Sequence, residues 1–545
     1  MLNLSIVGYI GGSDISKRIF FFLFLAFSDF LFSQPHVDSR KYRNYIGKDS
    51  IAEYYSKSLS VENMSINLNA LASDSYEGRE TGKKGQKMAA SYISQQFKAA
   101  GIPPYKDTTY YQSFLLNVIV PKPVEVRLEK KQYKNNKDFY TYPEQASRYI
   151  FSDSIVFLGY GIKDINYNDY KGTDVKDKVV MILSGEPISK DSLSLITGKK
   201  TMSSWATYNK LKIEEARESG IRALLIVVDD IARDIVNNKH RIESPSMKFE
   251  LDQENPFVLY ISKKMANVIL GYKKEKDTIQ DIRQKISESQ RPLTIEIKRK
   301  LAISVKNTLQ KVSSENVLGY IEGSDLKDEL IIVTAHYDHL GKSGKAVFNG
   351  ADDDGSGTVA VIEMAKAFAK AKKEGAGPRR SILFMAVSGE EKGLLGSGYY
   401  VNNPVFSLKN TLCDLNIDMI GRLDSRHENN PNYVYIIGSD KLSTALHKAG
   451  ENANKLYTQL DLDYTYNDEK DKNRYYYRSD HYNFAKKGIP VIFYFCGVHA
   501  DYHKETDEVE KIDFNKMKKI TELVFFTAWD LANRDDRIVV DVEKK

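Results

Sequence analysis

At 545 residues the chain is long for one domain, and division by about 150 allows three or four at most. Its 42% hydrophobic and 28% charged residues are an ordinary balance for a soluble globular protein and can supply a large core. The net charge of +6, from 79 basic and 73 acidic residues, contains no long block of one sign, so the clustered basic face of a nucleic-acid binder is missing and no nucleic-acid partner is expected.

In chain order, Lys17 and Arg18 precede the apolar run I-F-F-F-L-F-L-A-F, which is too short to span a bilayer and ends near Ser33-Gln34. This pattern predicts a signal peptide over 1–33 and an exported protein, periplasmic or secreted, with no stable membrane insertion once the signal is removed. No other stretch approaches the ~20 apolar residues of a membrane helix. Residues 35–60 are polar and rich in Tyr and Lys. From Val61 the spacing turns helical, with Met64, Leu68 and Leu71 on one face, then the break E-G-R-E-T-G-K-K-G-Q, then Ala89, Ile93, Phe97 and Ala100. Tyr111–Val120 and Val124–Leu128 read as strands. Between about 145 and 300 the character changes, with V-F-L-G-Y-G-I, a helical stretch from Ala206 to Ala216, and G-I-R-A-L-L-I-V-V-D-D, and no second set of histidines and carboxylates is assembled there.

The chemistry lies further on. Leu330–Val333 is an apolar run bounded by polar residues, as a buried parallel strand would be, and it delivers His336, Asp338 and His339 at its C-terminal end. The turn G-A-D-D-D-G-S-G follows, with Asp352, Asp353 and Asp354 in succession. Their mutual repulsion suits either a solvated turn or a bound cation. Three more apolar strands end in acids or histidines. Ser381–Val387 leads to Glu390 and Glu391, Leu412–Met419 carries Asp418, and Pro490–Phe495 leads to His499 and His503. Four strands of this kind point to a metal site built on strand ends. Asp338, two residues past His336, is placed to accept the second imidazole N–H. Glu390 and Glu391 are neighbours that face different ways, so one can bind metal while the other, taken as Glu390, acts as general base. Gly357–Lys373 and Asp513–Leu531 read as amphipathic helices, Val434–Ile437 as a strand, and His447 as a residue on a helix surface. His36, His240 and His427 read as surface residues. Cys413 and Cys496, the two cysteines, read as small buried hydrophobes, with a disulfide between neighbouring strands left open.

The ordered motifs H-Y-D-H, G-A-D-D-D-G-S-G, G-E-E-K-G-L-L-G-S, N-I-D-M-I-G-R, S-D-H and D-Y-H-K-E-T-D-E resemble the M28 family of co-catalytic zinc exopeptidases, mostly aminopeptidases. The resemblance implies an α/β fold, a mixed and mostly parallel sheet with helices on both faces. It assigns 34–144 and 301–545 to the peptidase and 145–300 to a small inserted β-rich domain similar to the protease-associated domain. It implies two Zn2+ per chain, with His336 and Asp418 on one, Glu391 and His503 on the other, and Asp353 bridging. Tyr476 falls where some members place a donor to the oxyanion. His481 and His499 come near the site by motif order, and His339 would line it or make a structural hydrogen bond. The implied substrates are peptides with a free N-terminus. A carboxypeptidase or glutaminyl-cyclase-like relative, or a binding protein that keeps the fold, are the alternatives. The preferred residue and the oligomeric state are not indicated.

Overall fold

The computed structural model describes residues 47–106, 108–145, 147–251, 255–271 and 278–542. The expected signal peptide and His36 lie outside them. The chain divides into two compact units: Ser113–Ser314, and the flanking segments up to Gln112 and from Glu315.

In the flanking unit the strand Leu326–His336 pairs in parallel with Arg380–Val387 on one side and Thr411–Ile417 on the other, and Val491–Phe495 extends the parallel set beyond Thr411–Ile417. Thr308–Ile321 adds antiparallel to Arg380–Val387, Tyr433–Ile437 adds antiparallel to Val491–Phe495, and Asp461–Asp463 follows it, so the sheet is mixed around a parallel centre. From Leu330 to Val333 the central strand is apolar and buried at every position, because both faces are covered. Ile331, Val333 and Ala335 enter one core with Phe368 and Trp529, while Leu330 and Ile332 enter another with Tyr400 and Phe484. Phe368 comes from the helix Gly357–Lys373 and Trp529 from Phe514–Asn533, whose N-cap Asp513 accepts from the backbone N–H of Asn515 and Lys516. The helices Val61–Leu71 and Lys84–Ala99 bury Met64, Leu68, Leu71, Ala89, Ile93 and Phe97, the stripe their spacing predicts. Cys413 and Cys496 are buried and unpaired. Among the described residues no helix is long and apolar enough to cross a membrane.

The other unit is built on a sheet whose parallel centre comprises Ser147–Leu158, Val179–Leu183, Ala223–Val228 and Phe257–Ser262. The long strand Thr294–Lys306 adds antiparallel to Ser147–Leu158, and Glu125–Leu128 and Lys131–Tyr133 follow beyond it. Helices cover both faces, with Met265, Ile282 and Ile286 in one core and Ala216 in the other. The unit thus has more helix than the small β-rich domain expected, and it spans Ser113–Ser314 rather than 145–300. Chain contacts set its limits, whereas composition shifts only where the parallel strands begin.

Candidate active site

Because the central strands run in parallel, their C-terminal ends share one edge, and the candidate residues meet there. His336 ends its strand, with ring Nδ1 3.0 Å from the carbonyl oxygen of Asp338. With the proton on that nitrogen, Nε2 faces Asp353 Oδ1 at 3.2 Å, Asp418 Oδ1 at 3.7 Å and Glu390 Oε2 at 3.9 Å. The other oxygen of Asp353, Oδ2, lies 3.2 Å from His503 Nε2, which stands 3.3 Å from Glu391 Oε2. One carboxylate therefore touches both histidines, each with a different oxygen.

The three aspartates of the turn are all buried, and their hydrogen bonds separate them. Asp354 accepts from the backbone N–H of His336, Gly357 and Met419 at 3.1, 2.8 and 3.2 Å, tying two strand ends to the helix that follows. Asp352 accepts from Gly421 N–H at 2.6 Å, with His499 Nε2 3.3 Å from its other oxygen. Asp507 accepts from the backbone N–H of Asp352 and Asp353, both at 3.1 Å, which leaves the middle carboxylate to face the site. Gly350 makes the turn possible: its φ is +54°, and a Cβ there would lie 2.2 Å from the Asp353 carbonyl oxygen.

Asp338 departs from its expected role. Its carbonyl holds the His336 ring, while its carboxylate stands 3.9 Å from Nδ1 and accepts instead from the Thr81 hydroxyl at 2.6 Å and the Glu390 N–H at 3.2 Å. The strand ends at His336, so the two-residue alternation of side chains does not extend to Asp338. Thr81 and Arg79 come from the glycine-rich break near the N-terminus. Arg79 is fully buried and donates to the carbonyls of Leu71, Tyr337, Asn349 and Gly350. Arg79→Met is expected to destabilise the protein by about 3–5 kcal/mol, because four buried acceptors and nearby carboxylates lose their cation. Urea unfolding midpoints of the two proteins measure this, and a shift worth less than about 1 kcal/mol would contradict it.

Tyr476 is not at the site, which corrects the expectation. It sits in the single 3-10 turn Tyr475–Tyr477, where successive side chains point about 120° apart. Tyr475 is the one that lines the site cavity, whereas Tyr476 packs against His481 and has Lys441 over its ring. Tyr476→Phe should keep kcat within about twofold, and a loss of the 100-fold or so that an oxyanion donor commands would return the residue to the chemistry. His481 turns away and stacks on Phe493, and burial pushes it down to about 3. His427 is held between Asp424 and Asp463 at 3.0 and 3.3 Å rather than lying free on the surface. His447 bonds Ser439 at 2.9 Å.

Two further residues stand at the site, of which the sequence raises only His339. His339 is buried with Nδ1 2.8 Å from Glu391 Oε1, and Asp480, in the S-D-H motif, is buried beside His336 and bonded by Ser397. Ligand-sized groups form from His336, Glu390 and Asp418, and from His339, Asp353 and Glu391, in each case with donor atoms within 4.8 Å of one another.

These groups fit cations. Asp353 Oδ2 and Glu391 Oε1 are buried with imidazole nitrogens of His503 and His339 at 3.2 and 2.8 Å but no well-aligned donor among the described residues, and imidazole with carboxylate is the donor chemistry of zinc and similar ions. The carboxylates also differ electrostatically. Burial, with Glu391, Asp480 and Asp418 close by, pushes Glu390 well above the usual carboxylate range. Burial acts on Asp353 in the same direction, but His336 and His503 outweigh it and hold that group well below the range.

Residues 316–528 match Peptidase family M28. This part of the chain is similar to M28 peptidase domains. All the residues assembled at the strand ends, from His336 to His503, fall inside it. A probable zinc metalloprotease of Pyrenophora teres f. teres (strain 0-1) is 26% identical over 293 residues, covering 46% of this chain and 58% of its own. Aminopeptidase YwaD of Bacillus subtilis (strain 168) is also 26% identical, over 233 residues, 41% of this chain and 46% of its own. The chain thus spans about half the length of the curated relatives it matches. Beyond the matched residues the fold is shared with the aminopeptidase from Aneurinibacillus sp. strain AM-1, which superposes with a TM-score of 0.54 at 19% identity over 90% of this chain and 98% of that one.

Proposed function

We propose that the protein is a zinc-dependent aminopeptidase, removing N-terminal residues from peptides, with a glutamate as the proton carrier. The observation that carries this reading is the two-sided contact of Asp353, one oxygen toward His336 and the other toward His503. It is the arrangement that two cations sharing a carboxylate require, and the relatives named zinc metalloprotease and aminopeptidase support zinc. His336 and Asp418 would hold one Zn2+, Glu391 and His503 the other, with His339 against Glu391. Bound zinc would supply electrophilic polarisation of the scissile carbonyl and acidify a water. Ser479 donates to Asp418 Oδ2 at 2.8 Å and so leaves Oδ1 toward His336. Glu390, with its raised proton affinity, would take the proton of the attacking water and pass it to the departing amine. Carboxylates at the same end of the cavity would attract the free α-ammonium of the substrate. The run after Lys17-Arg18 supports export, and N-terminal sequencing of the mature protein tests it.

The test is hydrolysis of aminoacyl-p-nitroanilides and matched N-blocked peptides by the mature protein, with and without a chelator. Turnover of free-amine substrates alone, lost to the chelator and restored by zinc, is expected. Cleavage of N-blocked peptides at their C-terminus would overturn the reading in favour of a carboxypeptidase.

A further inference from the structure

One cationic side chain in the cavity has no role in the chemistry above. Beside the histidines and carboxylates, the cavity is lined by Tyr475, Arg478 and Tyr502 and by apolar residues including Phe493 and Phe495. Arg478 is the one lysine or arginine among the described residues that line it. Its guanidinium lies 4.9 Å from the centroid of the Tyr475 ring and donates to the Tyr502 hydroxyl at 3.4 Å. Neither partner carries a negative charge, and Arg478 makes no ion pair with a carboxylate among the described residues. Its backbone is fixed close to the reacting centre, because the next residue, Ser479, donates to Asp418.

The cavity is therefore polarised. At one end stand Asp353, Glu390 and Asp418, and at its rim a guanidinium held over an aromatic face, exposed and without a counter-ion. A planar guanidinium offers a paired set of N–H donors that matches a carboxylate. Stacking on Tyr475 restricts the side chain before any ligand arrives, which reduces the ordering cost of binding. A substrate with an ammonium at one end and a carboxylate a residue or so away complements both ends.

We propose that Arg478 binds a carboxylate of the substrate, either the C-terminal carboxylate of a dipeptide or an acidic side chain at the N-terminal residue, and so biases the enzyme toward short or acidic substrates. The inference deepens the aminopeptidase reading and rests on it for the position of the α-amine.

The test compares kcat/KM for Leu-Leu with Leu-Leu-amide, and for Glu-p-nitroanilide with Gln-p-nitroanilide, in the parent protein, Arg478→Gln and Arg478→Lys. Arg478→Gln should lower one acid-to-neutral ratio by about tenfold, the order of effect of a charge-assisted hydrogen bond, and Arg478→Lys should recover part of it. The ratio that moves names the source of the carboxylate. If both ratios stay within about twofold, the proposal is overturned even where absolute rates fall, since a structural prop would lower acid and amide alike. If the parent turns over none of the four substrates, the aminopeptidase reading fails by itself. Calorimetric binding of Leu-Leu and its amide to the zinc-loaded protein then decides the role of Arg478: a preference for the acid that Arg478→Gln abolishes supports it, and equal binding overturns it.

Discussion

Glu390→Gln is expected to lower kcat by about 1,000-fold while zinc content and thermal unfolding stay those of the parent. The exchange is close to isosteric, and the backbone N–H of residue 390 keeps its bond to Asp338 Oδ1 at 3.2 Å, so the turn after the strand Arg380–Val387 has no reason to move. What is lost is the capacity to accept a proton, at a group whose burial among carboxylates holds its proton affinity high. Metal analysis of the same preparation separates two roles. Glu390 also falls in a ligand-sized group with His336 and Asp418. Loss of one zinc with the loss of turnover would make it a ligand, and kcat within tenfold of the parent with both zincs retained would remove it from the chemistry.

Asp353→Asn should have the second large effect, on metal content first. An amide cannot present an anionic oxygen to both His336 and His503, which now lie 3.2 Å from opposite oxygens of one carboxylate. Each proposed zinc would be left with two protein ligands of those assigned, so affinity should fall by more than about 100-fold and turnover with it. Titration with a chromophoric chelator measures this directly. Two tightly held equivalents in Asp353→Asn would overturn the bridging role. The turn itself should survive, because Asp352 and Asp354 anchor it through bonds that the exchange does not touch.

Much of this architecture could be read from local pattern. The run Leu330–Val333 is apolar without alternation because helices lie on both faces of its sheet, and the i, i+4 stripes of the two N-terminal helices match the residues they bury. The residue types of the site were legible as well, since His, Asp and Glu at the ends of four apolar strands leave few other readings. The directions of side chains in irregular segments were not. Tyr475 and Tyr476 have the same composition around them, and only the 3-10 turn decides which one lines the cavity. Asp338 has the spacing of a carboxylate partner for His336, yet it lies past the strand end and uses its carbonyl instead. Arg79, in the glycine-rich break, donates to the carbonyl of Leu71 eight residues before it and to those of Tyr337, Asn349 and Gly350 far along the chain, contacts that no spacing reveals.

By itself the sequence determined the parallel sheet, the helices that cover it, and the residue types gathered at its C-terminal edge, because periodicity and strand-end placement are local properties that hydrophobic burial enforces. Only the tertiary structure decided that Asp338 turns its carboxylate away from the His336 ring, that Tyr475 lines the cavity, that Asp480 joins the site, that Arg478 stands uncompensated at its rim, and that the second unit runs from Ser113 to Ser314. Those outcomes depend on contacts between residues far apart in the chain, where hydrogen-bond partners and packing, not spacing, set the direction of each side chain.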